Sequence, residues 1–252
     1  MQPHLPDDRH RPESYLVILF PCLFMIVFLL HFHRASEFFQ FKLHYVPRDP
    51  EQVVSSLVRA QNHWPLFHDP HILGYLSLPL LLFCAFALYQ LSREARPRLS
   101  SLGLFVTVSG TIYLGGLFGM WTAFYRGLGE VDPRYLDGAI ATFRGMTAPY
   151  GAFLMTTTLA RFSLIGLSAQ GLMLWRLPGI PRRSAVFIPL GCLIILVFWD
   201  LDNWMLIGML LLLIGLFPLI PLWNKLGPAR SQCCGYDKAS KTVDGNREHG
   251  IS

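Results

Sequence analysis

One arginine and two aspartates are the residues best placed to do chemistry within the apolar part of this chain. Arg161 lies about fifteen residues before Arg176, which at 1.5 Å per residue places it about 22 Å along a helix from that charged end. An arginine in the centre of a membrane helix costs roughly 2.5 to 3.5 kcal/mol, so its guanidinium must find a partner or reach water. Asp200 and Asp202 are the acids expected at a similar depth. Three alternatives follow: a structural ion pair of Arg161 with Asp200, an arginine that extends to the surface, or a substrate or ion site.

Histidines offer a second kind of chemistry, because imidazole nitrogens bind transition metals and haem iron. His63, His68 and His71 lie close together along the chain, with Trp64 among them. Their spacing matches no specific metal motif, so interfacial histidines beside an aromatic membrane anchor are the competing interpretation. The sequence leaves open an outer-face metal or haem site, and it predicts no cofactor.

The other polar groups indicate no catalytic site. No serine stands in a nucleophile elbow, and no His-Glu metalloprotease pattern occurs in the sequence. Hydroxyl groups in apolar helices, such as those of residues 156–158, usually bond to their own backbone or to a neighbouring helix. The sequence therefore favours a protein that is not an enzyme.

Six apolar runs must position these residues. Only 15% of the chain is charged, against roughly 25% in soluble domains, and most of the runs are near the ~20 residues that cross a bilayer as helix. We therefore predict an all-α fold, a polytopic transmembrane helical bundle of six spans. The predicted spans are residues 15–32, 71–91, 99–125, 152–175, 185–199 and 201–223.

Basic residues orient the predicted bundle. Thirteen of them lie in the two ends and in the alternate gaps 92–98 and 176–183, whereas seven lie in the three other gaps. The positive-inside rule then places both termini in the cytoplasm, with the bundle in the inner or plasma membrane. Because this bias accounts for the net charge of +5, no nucleic-acid partner is expected.

Three regions follow along the chain. Residues 1–14 and 227–252 are polar and have little to bury, so we predict a disordered cytoplasmic N-terminus and a disordered cytoplasmic tail around a bundle of residues 15–226. Asp-Pro pairs at 49–50 and 132–133 are typical of helix starts. The apolar stripes that follow them predict two short interfacial helices on the outer face, the second over residues 133–147.

Small residues indicate where helices pack. Gly115 and Gly119 expose backbone on one face of the third predicted span, and Gly166 and Gly171 are of matching size in the fourth. Two interpretations remain open. The third span packs against the fourth within one bundle, or it packs against a helix of another chain.

The stretch from Pro47 to Leu91 resembles a broad group of uncharacterised bacterial multi-pass integral membrane proteins. The resemblance is carried by Pro-x-Asp-Pro, by Gln-Asn-His-Trp at 61–64, by residues 68–71 and by a leucine-rich span with an arginine-rich turn. It implies a bundle of about six helices and implies no activity.

These observations lead to one leading hypothesis and two alternatives. The leading hypothesis is an accessory or scaffolding subunit of a larger membrane complex, or a self-associating protein, in contact with the lipid bilayer. The first alternative is a small transporter or ligand-binding protein that uses Arg161 and Asp200. The second is an outer-face metal or haem protein that uses the histidines.

Overall fold

The described part of the chain is almost entirely helical. The computed structural model describes residues 12–30, 32, 35–40, 49–63, 69–148, 151–199 and 201–226 of the 252-residue chain. Within these ranges there is no strand, so the predicted all-α class is confirmed. The predicted terminal regions lie outside the described residues, except that a short 3-10 helix begins at Pro12.

The α-helices of the described residues follow the apolar runs closely. They are α1 (Leu16–Leu30), α2 (Ala35–Phe38), α3 (Pro50–His63), α4 (Asp69–Ser92), α5 (Pro97–Gly129), α6 (Leu136–Thr147), α7 (Ala152–Ala160), α8 (Phe162–Met173), α9 (Arg182–Val197), α10 (Asp202–Leu216) and α11 (Ile220–Leu226). A 3-10 turn, Phe217–Leu219, joins α10 to α11, so these two helices continue one helical rod.

Three helical segments are long and apolar enough to cross a membrane. They are Pro70–Ser92, Pro97–Gly129 and Asp202–Trp223. The other predicted spans give shorter helices, since α1 has 15 residues and α9 has 16. A turn at Arg161 divides the predicted fourth span into α7 and α8. Length and composition therefore indicate membrane association, and the number of six spans stays a prediction.

The long helices form a closed ring. Going around it, α1 packs on α4, α4 on α5, α5 on α7 and α8, α8 on α9, α9 on α10, and α10 returns to α1. In addition, α4 contacts α8 across the ring. Large apolar side chains fill the interior, among them the fully buried Leu81, Leu88, Leu167, Ile188 and Leu212. The ring therefore encloses a packed core.

Helices α3 and α6 form a cap on the far end of α5. They pack on each other and α3 packs on α5, around a second apolar cluster that includes Val54, Leu57, Leu128, Ile140 and Phe143. The 33 residues of α5 make it about 50 Å long, whereas the hydrocarbon core of a bilayer is about 30 Å thick. One end of α5 therefore has the length needed to carry the cap beyond the ring.

Aspartates begin both cap segments, as their Asp-Pro pairs predict. The Asp49 carboxylate accepts a hydrogen bond from the Glu51 backbone N–H at 3.2 Å, and the Asp132 carboxylate accepts one from the Arg134 N–H at 2.9 Å. These bonds satisfy N–H groups that a helix start leaves without an intrahelical partner. The two predicted short helices are thus present.

Candidate functional site

Arg161 occupies the break between α7 and α8. Its backbone stays in the helical region, and its carbonyl oxygen accepts bonds from the N–H groups of Leu164 and Ile165, each at 3.1 Å. Its partly buried side chain crosses to the end of α9, where the guanidinium carbon lies 5.5 Å from the ring centroid of Trp199. The arginine therefore binds the face of an aromatic ring, a contact worth about 0.5 to 2 kcal/mol depending on how far it is desolvated.

The structure describes only one of the two predicted acidic partners of Arg161. Asp200 lies outside the described residues, so its pairing with Arg161 stays a prediction. Asp202 is partly buried in the first turn of α10. The three ion pairs found within the described part of the chain do not involve Arg161. The contact of Arg161 with Trp199 was not predicted from the sequence. The only sequence feature that could have indicated it is the position of Trp199 next to Asp200, the predicted partner of Arg161.

Of the three histidines predicted as metal ligands, only His71 has a side chain that the structure describes. His68 lies outside the described residues, and His63 ends α3 with a side chain that is also outside them. His71 lies in α4, with its ring centroid 6.4 Å from that of Phe118 and 6.5 Å from that of Trp121. Among the described residues, no three His, Cys, Asp or Glu side chains come together as a metal site would require. The metal site stays a prediction.

His71 belongs to a line of aromatic rings through the bundle. Phe24 of α1 contacts Phe118 at 5.9 Å between centroids, and Trp121 contacts Phe153 of α7 edge to face at 4.6 Å. The rings thus connect α1, α4, α5 and α7 on the cap side of the ring. Aromatic pairs in this geometry contribute about 0.5 to 1.5 kcal/mol beyond their buried area, so the line holds this end of the bundle together.

The closest helix crossing joins α5 to α8 through small residues. A Cβ atom added to Gly166 would lie 2.6 Å from the carbonyl oxygen of Gly103, and one added to Gly110 would overlap the backbone of Ser163. Thr107, buried between them, donates its hydroxyl to Gly103 O at 2.9 Å. Small residues at 103, 107 and 110 share one helix face. This spacing is the sequence feature from which the crossing of α5 with α8 could have been predicted.

The structure differs from the expected match of Gly115 and Gly119 with Gly166 and Gly171. A Cβ atom at Gly115 would meet Leu78 of α4 at 3.3 Å, while one at Gly119 would meet nothing within 4 Å. Gly171 faces α9 instead of α5. Two crossing helices approach closely at one place only, and on α5 that place ends at Gly110, more than one turn before Gly115 and more than two turns before Gly119.

The far half of α5 presents an outward face of small residues. Gly116, Gly119 and Ala123 are exposed, whereas the near half of the same face carries the large exposed side chains of Phe105 and Ile112. We call residues 116, 119 and 123 the α5 notch. An added Cβ at Gly116 would have only one neighbour within 4 Å, a methyl group of α7 at 3.8 Å.

An apolar cleft lies beside the notch, where the cap meets the ring. Its volume is about 500 Å³, and it lies between α5, α6 and the start of α7. The lining residues are Met120, Ala123, Phe124, Gly145, Met146, Gly151 and Phe153. We call it the cap cleft. All of the side chains that line it among the described residues are apolar, so it is suited to a hydrocarbon group.

Comparison with known proteins adds no assignment. No family model matches the chain, and no curated protein or solved structure is significantly similar to it. The sites above are therefore interpreted from their geometry and chemistry.

Proposed function

We propose that this chain is a six-span membrane protein that acts as an accessory or scaffolding subunit, and that its α5 notch receives a helix of a partner. In this arrangement α1, α4, α5, the α7–α8 pair, α9 and the α10–α11 rod each cross the plasma membrane. The protein then works through packing rather than through a reaction.

The six-span arrangement is supported by the closed ring together with the distribution of charge. Three members of the ring meet the length and apolarity of membrane helices, and the remaining members pack between them. Arg93, Arg96 and Arg98 surround one turn of the ring, and Arg176, Arg182 and Arg183 surround another. These clusters mark the cytoplasmic side, so both termini are cytoplasmic and the α3–α6 cap is outside.

The α5 notch is the observation that supports the role in a complex. Membrane helices associate through small residues that let backbones approach, and the notch offers such residues with almost nothing of the described part of the chain packed on its two glycines. The glycines of the α5–α8 crossing already pack against the facing helix within the bundle, so they are not accessible to a partner. The interior is also filled by buried leucine and isoleucine side chains. Association through the outer surface is therefore the proposed role.

Substitution at Gly119 provides the test, because a Cβ atom added there meets no atom of the described residues within 4 Å. The wild-type chain, purified from native membrane in mild detergent, is expected to elute as an assembly larger than its own monomer. Gly119→Leu should release a folded monomer with an unchanged melting temperature. Gly127→Leu is the matched control, because Gly127 lies further along α5 and is equally open.

Two outcomes contradict this proposal. A wild-type chain that is monomeric and carries no other subunit would reject the role in a complex. An assembly that survives Gly119→Leu would place the interface elsewhere and remove the notch from it.

A further inference from the structure

We propose that the cap cleft binds one phospholipid of the outer leaflet, with an acyl chain in the cleft and the phosphate at Arg144. This inference goes beyond the role in a complex and rests only on the membrane placement proposed above. The partner helix and the lipid occupy neighbouring surfaces that share Ala123 at their border.

The first argument is the chemistry of the cleft. Met120, Phe124, Met146 and Phe153 provide apolar walls, and Gly145 contributes no side chain to fill the space. A volume of about 500 Å³ is within the roughly 300 to 1,000 Å³ typical of small-molecule sites. Methionine side chains adapt to flexible apolar groups, so these walls suit a hydrocarbon chain without fixed shape.

The second argument is where the cleft opens. It lies between the cap and the ring, at the level where α5 leaves the predicted bilayer and α7 enters it. The α7 residues that follow the cleft residue Phe153, Leu154 and Met155, are 48% and 62% exposed, and in the proposed membrane placement they contact lipid. An apolar group can therefore pass from the bilayer into the cleft without crossing water.

A positive charge lies next to the cleft residues in the sequence of α6. Arg144 precedes the cleft residue Gly145 in α6, and its side chain is 57% exposed. It donates one hydrogen bond, from Nη2 to the Glu51 carboxylate at 3.3 Å, whereas a guanidinium carries five N–H donors in all. Arginine binds phosphate well through this planar arrangement. Arg144 is thus a partly exposed cation one residue from the cleft-lining Gly145, and a phospholipid, with an apolar chain and an anionic head, has the matching chemistry.

Gly145 makes the inference testable without disturbing the fold. A Cβ added there meets nothing within 4 Å, so Gly145→Leu should fold and place its side chain at the cleft. Gly138→Leu is the matched control, since Gly138 lies two turns earlier in α6, is equally open and does not line the cleft. Arg144→Gln tests the headgroup contact separately.

The experiment measures retention of palmitoyl-oleoyl phosphatidylglycerol by the detergent-solubilised full chain, using native mass spectrometry. The wild type should retain one lipid after loosely bound lipid has been stripped. Gly145→Leu should weaken retention at least about tenfold, the size of effect that one methylene group has in an apolar pocket. Arg144→Gln should also weaken it, while Gly138→Leu and Gly119→Leu should leave it unchanged.

Several results would overturn the inference. They are a wild type that retains no single lipid, equal loss in Gly145→Leu and Gly138→Leu, or retention that Gly145→Leu does not change. If Gly145→Leu does not fold, the wild type is tested with phosphatidylglycerol that carries a diazirine on its acyl chain. Crosslinks must then fall on cleft residues such as Met146 or Phe153, and crosslinks spread over the exposed ring, or a protein helix found in the cleft, would refute the lipid.

The proposal of a partner helix at the α5 notch and the proposal of a lipid in the cap cleft can each be refuted without refuting the other. Gly119→Leu reports on the partner helix, whereas Gly145→Leu reports on the lipid, and each is expected to leave the other measurement unchanged.

Discussion

The guanidinium of Arg161 lies over the indole ring of Trp199, with 5.5 Å between the guanidinium carbon and the ring centroid. The contact joins the break between α7 and α8 to the end of α9. The indole ring is an uncharged partner for the partly buried guanidinium, so this contact buries no second charge. The arginine therefore has a structural role whether or not Asp200 also contacts it.

We expect this contact to stabilise the bundle measurably. Trp199→Leu removes the ring face and should lower the free energy of unfolding by about 1 to 3 kcal/mol, through the cation–π term and the loss of packing. Arg161→Lys keeps the charge and loses the planar stack, so its effect should be smaller. A double-mutant cycle on thermal stability in detergent should give a coupling of about 0.5 to 2 kcal/mol, and additive effects would show that the contact contributes nothing.

The predicted pairing with Asp200 has its own test. Asp200→Asn removes the charge and keeps the shape, so loss of stability that is coupled to Arg161→Ala would support the ion pair. Unchanged stability in both variants would rule it out. Loss of a binding or transport activity at unchanged stability would favour the alternative of a ligand site at Arg161.

The α5–α8 crossing should not tolerate even one methyl group. Gly110→Ala and Gly166→Ala both place a Cβ against backbone atoms of the facing helix, which can yield only if the helices separate. Each should cost about 1 to 3 kcal/mol or prevent folding. Gly119→Ala is the control and should change stability by less than about 0.5 kcal/mol. Equal melting temperatures in all three variants would show that the helices do not cross at these glycines.

Asp132 should make the start of the cap sensitive to acid. Hydrogen bonds from the Arg134 side chain, and then from its backbone N–H, hold the pKa of Asp132 below its ordinary value of 3.8. A lowered pKa in the folded state means that the carboxylate stabilises the fold above pH 3.8 and that this contribution is lost as the pH falls through the lower value. The melting temperature of Asp132→Asn should therefore lie slightly below that of the wild type at pH 7 and equal it in strong acid.

Arg134→Gln should show a weaker form of this pH dependence, because it removes the side-chain hydrogen bonds to Asp132 and keeps the one from the backbone N–H. A difference between wild type and Asp132→Asn that is constant from neutral to acidic pH would contradict this account.

Reporter fusions can test the topology. A reporter placed after Gly227 should be cytoplasmic, and one inserted within residues 60–64 should be outside. Finding both on the same side would reject the six-span arrangement, and it would leave the contacts within the ring unaffected.

Periodicity and helix-start signals were enough to predict the helices of the cap. Asp49 and Asp132 each accept a bond from the N–H two residues later, and the apolar stripes after them are buried together. Such features are local, because they depend on residues within a few positions of each other. Apolar length likewise identified α4 and α5 as candidate spans.

The partners of individual residues could not be predicted in the same way. Whether Gly115 or Gly110 faces α8 depends on where two helices cross, and both positions carry the same residue type. The contact of Arg161 with Trp199 depends on how α9 returns past the break after Ala160, which no local pattern records. The cap cleft exists only because three separate elements leave a space between them.

The length of α5 has a mechanical consequence. The helix is about 20 Å longer than a hydrocarbon core is thick, and the cap packs on its far end. A transmembrane helix changes its tilt when the bilayer becomes thinner or thicker. In a six-span arrangement α5 then acts as a lever, and a small rotation within the bilayer swings the cap sideways and widens or narrows the space beneath it. Bilayer thickness would in this way set the shape that the protein presents outside the membrane.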